Sequence, residues 1–248
     1  MIERTIELET PDGRMPTFVT YPEAPGPHPA VIFYMDAPGI REELYDMCRR
    51  LGTVGYYVLL PNVYYRWGGP SFPARKSQDE PQNPEVRKLV QSWNKSMMQM
   101  DTAAVMAHVE QDPAADETSM GAVGTCMGGP PVVNAAADYP ERVRAFATWH
   151  GSRMVTDEPD SPHLAAGTIK GEGYFAWSPK DETAPEDTIP DLQEALRKHG
   201  IQHRVELHPD APHGYTFPTR WCYEKDAAER TWERLFELFE RQLPRRNE

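Results

Sequence analysis

What most constrains this chain is a series of short, continuously apolar runs separated by segments of helical spacing. The run Ala30-Val31-Ile32-Phe33-Tyr34-Met35 shows no polar alternation, as in a strand covered on both faces of a parallel sheet. Similar runs recur at 57–60, 121–124, 145–149 and 174–177. Between them, Leu44, Met47, Cys48 and Leu51 repeat at helical spacing, as do Val86, Leu89, Val90, Trp93, Met97 and Met100. Strand and helix in alternation imply right-handed crossovers onto one mostly parallel central sheet with helices on both faces, an α/β fold.

The ends of the chain add detail. Residues 5–9 alternate, break at Pro11-Asp12-Gly13 and resume at 16–21, which predicts a half-exposed hairpin. A final helix is expected over 219–243, with Ala228, Thr231, Trp232, Leu235, Phe236 and Phe239 on one side. The 17 glycines and 25 prolines are dispersed among connections rather than gathered in a linker, so residues 1–248 read as one domain. Two long stretches without periodicity, 66–84 and 153–171, are candidate lids or pocket walls.

A net charge of −12 without a basic stripe argues against nucleic acid or an anionic membrane as partner and favours a small-molecule substrate. No stretch approaches the roughly 20 apolar residues of a membrane span, and the first residues lack a basic region followed by an apolar one, so a cytoplasmic location is expected. Cys48, Cys126 and Cys222 show neither a disulfide framework nor metal spacing. His199, His203 and His208 do not suggest a metal site either, because Gly200 is expected to end their helix.

The chemistry concentrates at Gly124-Thr125-Cys126-Met127-Gly128-Gly129, after an apolar strand and before a helix expected over 131–137. This is the spacing of the α/β-hydrolase nucleophile turn, Gly-x-Ser-x-Gly, with Cys in the central place. A thiolate at a helix N-terminus also gains from the helix dipole. The plainer reading, a small buried cysteine in a glycine-rich turn, loses ground to two residues further along the chain. Asp181 lies just beyond the run 174–177, after the turn Ser178-Pro179-Lys180, and His213 lies in Pro209-Asp210-Ala211-Pro212-His213-Gly214-Tyr215 after the run 204–207. Acid then base after the nucleophile is the order such enzymes use. Asp187 and Asp210 compete with Asp181, and a mobile loop would suit His213 as base. Trp149 and His150 end a strand at the same sheet edge and are candidates to line the pocket; Cys48 falls on an apolar helix face and reads as core.

With these pieces in place the sequence resembles the dienelactone hydrolase (carboxymethylenebutenolidase) family over about residues 14–240. The specific matches are the Cys126 turn, Ala211-Pro212-His213-Gly214 and Pro61-Asn62-Val63-Tyr64-Tyr65-Arg66. The resemblance implies the α/β-hydrolase fold, a Cys126–Asp181–His213 triad and an oxyanion hole from the backbone N–H groups of Ala37 and Met127. It also implies that Asp36, where the family has Glu, accepts the thiol proton, and that no cofactor is required. Arg66 matches one of two arginines that grip a substrate carboxylate. The place of the second holds Phe217, with Arg220 nearby. The implied activity is opening of an ester or lactone. A carboxylesterase or thioesterase with a more apolar pocket, drawing on Phe217, Trp149 and Trp67, is the alternative. A non-catalytic ligand-binding protein on the same fold is a third reading. The sequence sets no oligomeric state.

Overall fold

A computed structural model describes residues 1–179, 181 and 183–244. Lys180 of the turn before Asp181 lies outside them. The eight strands are β1 (Ile2–Thr10), β2 (Gly13–Tyr21), β3 (His28–Tyr34), β4 (Tyr57–Pro61), β5 (Ala115–Thr125), β6 (Val143–Trp149), β7 (Glu172–Trp177) and β8 (His203–Leu207). They form one sheet in the order β1-β2-β4-β3-β5-β6-β7-β8. The first two pairings, β1 with β2 and β2 with β4, are antiparallel; the other five are parallel.

Burial follows that arrangement. Every residue of β3 and β4 is buried, which is why both read as unbroken apolar runs. The hairpin is exposed chiefly along β1, while the second half of β2 is covered.

The helices are α1 (Glu42–Thr53), α2 (Pro84–Ser92), α3 (Lys95–Gln111), α4 (Gly129–Asp138), α5 (Ile189–Lys198) and α6 (Lys225–Gln242). Helices α1 and α6 are tied to each other by Arg50 and Glu229. Helix α1 packs on β2 and β4, and α6 on β6 and β7; α3 and α4 pack together, with α4 against β3, β5 and β6. Trp232, Leu235, Leu238 and Phe239 of α6 are buried, each stabilising the fold by about 1.5–3 kcal/mol.

Three expectations need correction. The apolar repeat from Val86 to Met100 is two helices: Trp93 caps α2, and Asn94 starts α3 by accepting from the Met97 N–H at 3.1 Å. The last helix starts at Lys225, not near 219, because Glu224 caps it by accepting from the Ala227 N–H. The loop bearing His213 is anchored: Ser178 Oγ donates to the Ala211 carbonyl, Tyr215 and Phe217 are fully buried, and the Tyr215 hydroxyl meets Thr231 Oγ1 at 2.7 Å. Gly200 does end α5, with φ +69°. Cys48 is buried in the core.

Candidate active site

The candidate residues gather at the C-terminal edge of the parallel strands, where open α/β sheets bind their ligands. Asp36 follows β3, Cys126 follows β5, His150 follows β6, Asp181 follows β7 and His213 follows β8.

At Cys126 the chain turns from β5 into a 3-10 turn, Cys126–Gly128, that leads into α4. Cys126 has φ 55°, a left-handed conformation that costs a non-glycine residue energy and is held by its surroundings. The Ser152 N–H donates to its carbonyl at 3.0 Å. The flanking glycines are required by close approach: a Cβ on Gly124 would lie 2.1 Å from the Gly128 carbonyl oxygen, and one on Gly128 would lie 2.6 Å from that of Tyr34. The thiol is part-exposed, unlike Cys48 and Cys222.

His213 hydrogen-bonds Asp181 through Nδ1, and Cys126 lies near enough to act on its charge. Burial opposes a charge on His213, but Cys126 and Asp181 outweigh it and raise its pKa to about 10. Burial likewise pushes the Asp181 carboxyl up, and the hydrogen bond and charge of His213 hold it below its ordinary value. Its other oxygen, Oδ1, accepts from the N–H groups of Thr183 and Ala184 at 2.8 and 3.2 Å and from Thr183 Oγ1 at 2.7 Å. Thr183 Oγ1 is also 3.1 Å from His213 Nδ1. Asp187 and Asp210 are exposed; Asp181 is the acid seated on the histidine.

His150 is fully buried behind His213, their rings 4.8 Å apart and inclined at 66°. Its Nε2 meets Thr216 Oγ1 at 2.9 Å, and burial and the neighbouring His213 push its pKa well down. It therefore stays neutral beside the charged ring.

Asp36 is buried between two guanidinium groups. Arg41 Nη1 donates to Oδ1 at 2.6 Å and Arg41 Nη2 to Oδ2 at 3.3 Å, while Arg220 Nη2 also donates to Oδ2. Burial raises the Asp36 pKa, but Arg220 and Arg41 together hold it below the ordinary value. Glu43 ties the same arginines and the Thr219 backbone together. Neither Arg41 nor Glu43 belongs to a motif; opposite charges at 41 and 43 near an acidic 36 were the available signal.

The residues expected to touch substrate are not at an open surface. Trp149, His150 and Phe217 have no exposed area. Trp149 packs edge-on against Phe33 and Trp232, and Phe217 is covered by Arg41 and Arg220, whose guanidinium carbons lie 4.9 and 3.9 Å from its ring centre. Arg66 donates from Nε to Asp12 at 2.6 Å and from Nη1 to buried Asp101 at 3.0 Å. These side chains are spent on packing and internal charge, so they build the walls behind the site rather than its lining.

Ala37 and Met127 meet at one hydroxyl. Tyr64 Oη donates to the Ala37 carbonyl at 2.9 Å and lies 3.2 Å from Met127 Sδ. Beside Met127 opens a cleft of about 130 Å³, walled by the junction of α2 and α3 and by residues 152–162. The irregular stretch after Arg153 is thus a pocket wall, whereas 66–84 does not line this cleft. Among the described residues no cluster of three or more His, Cys, Asp or Glu could hold a metal, and no helix is long and apolar enough to cross a membrane.

Comparison with known proteins agrees with this architecture. The family model described as "Dienelactone hydrolase family" matches residues 15–243. A protein of Methylorubrum extorquens, provisionally named a carboxymethylenebutenolidase, is 28% identical over 96% of this chain and 81% of its own length. One from Synechocystis with the same provisional name is 26% identical over 91% of each. A crystal structure from Klebsiella pneumoniae, provisionally named a dienelactone hydrolase, superposes with a TM-score of 0.85 at 25% identity, covering 96% of this chain and 98% of that one. The fold is that of the α/β-hydrolases.

Proposed function

Because this chain belongs to the dienelactone hydrolase family, we propose that it hydrolyses carboxylic ester or lactone bonds through a Cys126–His213–Asp181 triad. The observation that carries the reading is His213 hydrogen-bonded through Nδ1 to Asp181 and coupled to Cys126, which raises its pKa. Nucleophile, base and orienting acid are the parts a covalent acyl transfer needs.

The steps use that arrangement. His213 holds the thiol proton as the Cys126 sulfur attacks the carbonyl carbon. The backbone N–H groups of Ala37 and Met127 stabilise the oxyanion as the carbonyl π pair moves onto oxygen. As the tetrahedral intermediate collapses, the C–O bond breaks and protonated His213 gives its proton to the leaving oxygen. Water then attacks the thioester with His213 as base, and the carboxylic acid leaves as Cys126 recovers its proton. Asp181 keeps His213 oriented and stabilises its charged form. Asp36, already committed to Arg41 and Arg220, serves as the anion that fixes the 217–220 turn beside the site, and the proton-accepting role falls to His213. The chemistry calls for no cofactor.

Trapping tests the reading. Incubation with a slowly deacylating ester followed by intact-mass and peptide mapping should place one acyl group on Cys126; an adduct elsewhere, or none under conditions of turnover, would overturn it.

A further inference from the structure

We propose that His150 is the positioning residue of His213: the loop that carries His213 is wound around the His150 ring, and the corner bearing that ring also holds Cys126. The proposal rests on the Cys126–His213–Asp181 reading and adds the residue that sets its base in place.

Four residues of the loop, His213, Tyr215, Thr216 and Phe217, meet His150. Centre to centre, the His213 ring stands 4.8 Å away at 66°, the Tyr215 ring 5.5 Å away at 73° and the Phe217 ring 5.7 Å away at 56°. Thr216 Oγ1 is 2.9 Å from Nε2. With no exposed area, His150 is the core of this loop rather than its covering.

The ring is delivered by a strained corner. Among the described residues, Cys126, His150 and Arg153 are the non-glycines with left-handed φ, at 55°, 42° and 57°. They belong to one structure, because the Ser152 N–H donates to the Cys126 carbonyl at 3.0 Å. The His150 N–H ties the same corner to the Ala176 carbonyl of β7 at 2.8 Å. Gly151 is pressed against the start of α4: a Cβ on Gly129 would lie 3.0 Å from the Gly151 Cα. Such conformations persist only where their surroundings over-determine them. One short segment therefore sets nucleophile and base relative to each other.

Asp181 alone does not fix His213. Its hydrogen bond to Nδ1 leaves the imidazole free to swing about the donor–acceptor direction. The His150 ring, packed edge-to-face, closes that freedom. Neutrality suits the role: burial and the charges of His213 and Arg220 outweigh Asp181 and keep His150 unprotonated, so it presses on an imidazolium without repelling it. Its Nδ1 has no partner among the described residues. Buried polar atoms kept for hydrogen bonding are normally paired, so the ring's shape is what the site uses.

The test compares His150→Asn with His150→Phe on 4-nitrophenyl acetate. Asn tolerates the left-handed backbone but removes the ring; Phe keeps a ring and loses only the bond to Thr216. His150→Asn should lower kcat about 100-fold, as displacement of a catalytic group by about 1 Å does, with KM within about twofold of wild type. His150→Phe should recover kcat to within about tenfold of wild type, the loss of one hydrogen bond. The downfield proton resonance of the His213–Asp181 hydrogen bond should broaden or move in the Asn variant and return in the Phe variant. Should either variant fail to fold, Thr216→Val, which frees the His150 ring without removing it, should lower kcat roughly two- to tenfold at unchanged KM. A kcat unchanged in His150→Asn or Thr216→Val, or a Phe variant no better than the Asn variant, would overturn the positioning role alone. Absence of ester turnover in wild type would overturn both it and the Cys126 reading.

Discussion

Asp36 and Arg41 form a two-point ion pair at the end of β3, with Nη1 2.6 Å from Oδ1 and Nη2 3.3 Å from Oδ2. The pair is buried on the carboxylate side, and Arg220 closes it from the other direction. Asp36→Asn leaves two guanidinium groups facing a neutral amide. Breaking a buried pair from one side costs about 3–5 kcal/mol, so urea unfolding should show a loss of that size. A variant within about 0.5 kcal/mol of wild type, the range of an ordinary surface change, would show that Asp36 does not hold this network.

Tyr64 provides a second test. Its hydroxyl is the partner of the Ala37 carbonyl and touches Met127. Tyr64→Phe leaves that carbonyl without the hydroxyl, at about 1–3 kcal/mol in stability. Both proposed oxyanion donors should loosen, lowering kcat by about tenfold, less than the roughly 10²–10³ lost with a donor itself, with KM little changed. An unchanged kcat would separate Tyr64 from oxyanion geometry.

Thr183 bridges Asp181 Oδ1 and His213 Nδ1 at 2.7 and 3.1 Å. One such hydrogen bond is worth about 0.5–1.5 kcal/mol net. Thr183→Val should therefore reduce kcat by roughly two- to tenfold, measured with a 4-nitrophenyl ester, and full retention would mean the backbone N–H groups alone position Asp181.

His213 contributes to the pH dependence of stability. A folded pKa of about 10 lies above the unfolded value of about 6.5, so its contribution is full below that value and is lost as pH rises towards 10. Asp36 and Asp181 are held down; their contribution is present above the ordinary carboxylate range and is lost on acidification. The melting temperature of wild type should fall between pH 7 and 10, and His213→Gln should flatten that slope. Equal slopes in the two proteins would contradict the raised His213 pKa.

Much of the fold and site is legible in the sequence because it is local or ordered along the chain. Unbroken apolar runs announce strands covered on both faces, and the glycines around Cys126 are demanded by backbones that approach within a side chain's width. Asp181 and His213 stand out by their order after the nucleophile. The features that escape a sequence reading depend on tertiary approach. The Val86–Met100 repeat keeps helical phase across the Asn94 cap, so periodicity conceals a break that capping chemistry makes. Phe217 and Trp149 are aromatic residues near the site by position, yet only the fold shows that both face inward. Arg66 keeps its place in the motif but is held by Asp12 and Asp101, one from the hairpin turn and one from α3. Arg41 and Glu43 carry no motif, and their role emerges only where β3 and the 217–220 turn converge on Asp36.

The most direct test of Cys126 as nucleophile is kcat/KM of Cys126→Ala for a 4-nitrophenyl ester, measured beside wild type with circular dichroism confirming the fold. Removing the nucleophile should lower it by at least about 10³-fold, as loss of a covalent catalyst does; activity within about twofold of wild type would contradict the assignment, since a hydrolase keeps such a rate only when its nucleophile is intact.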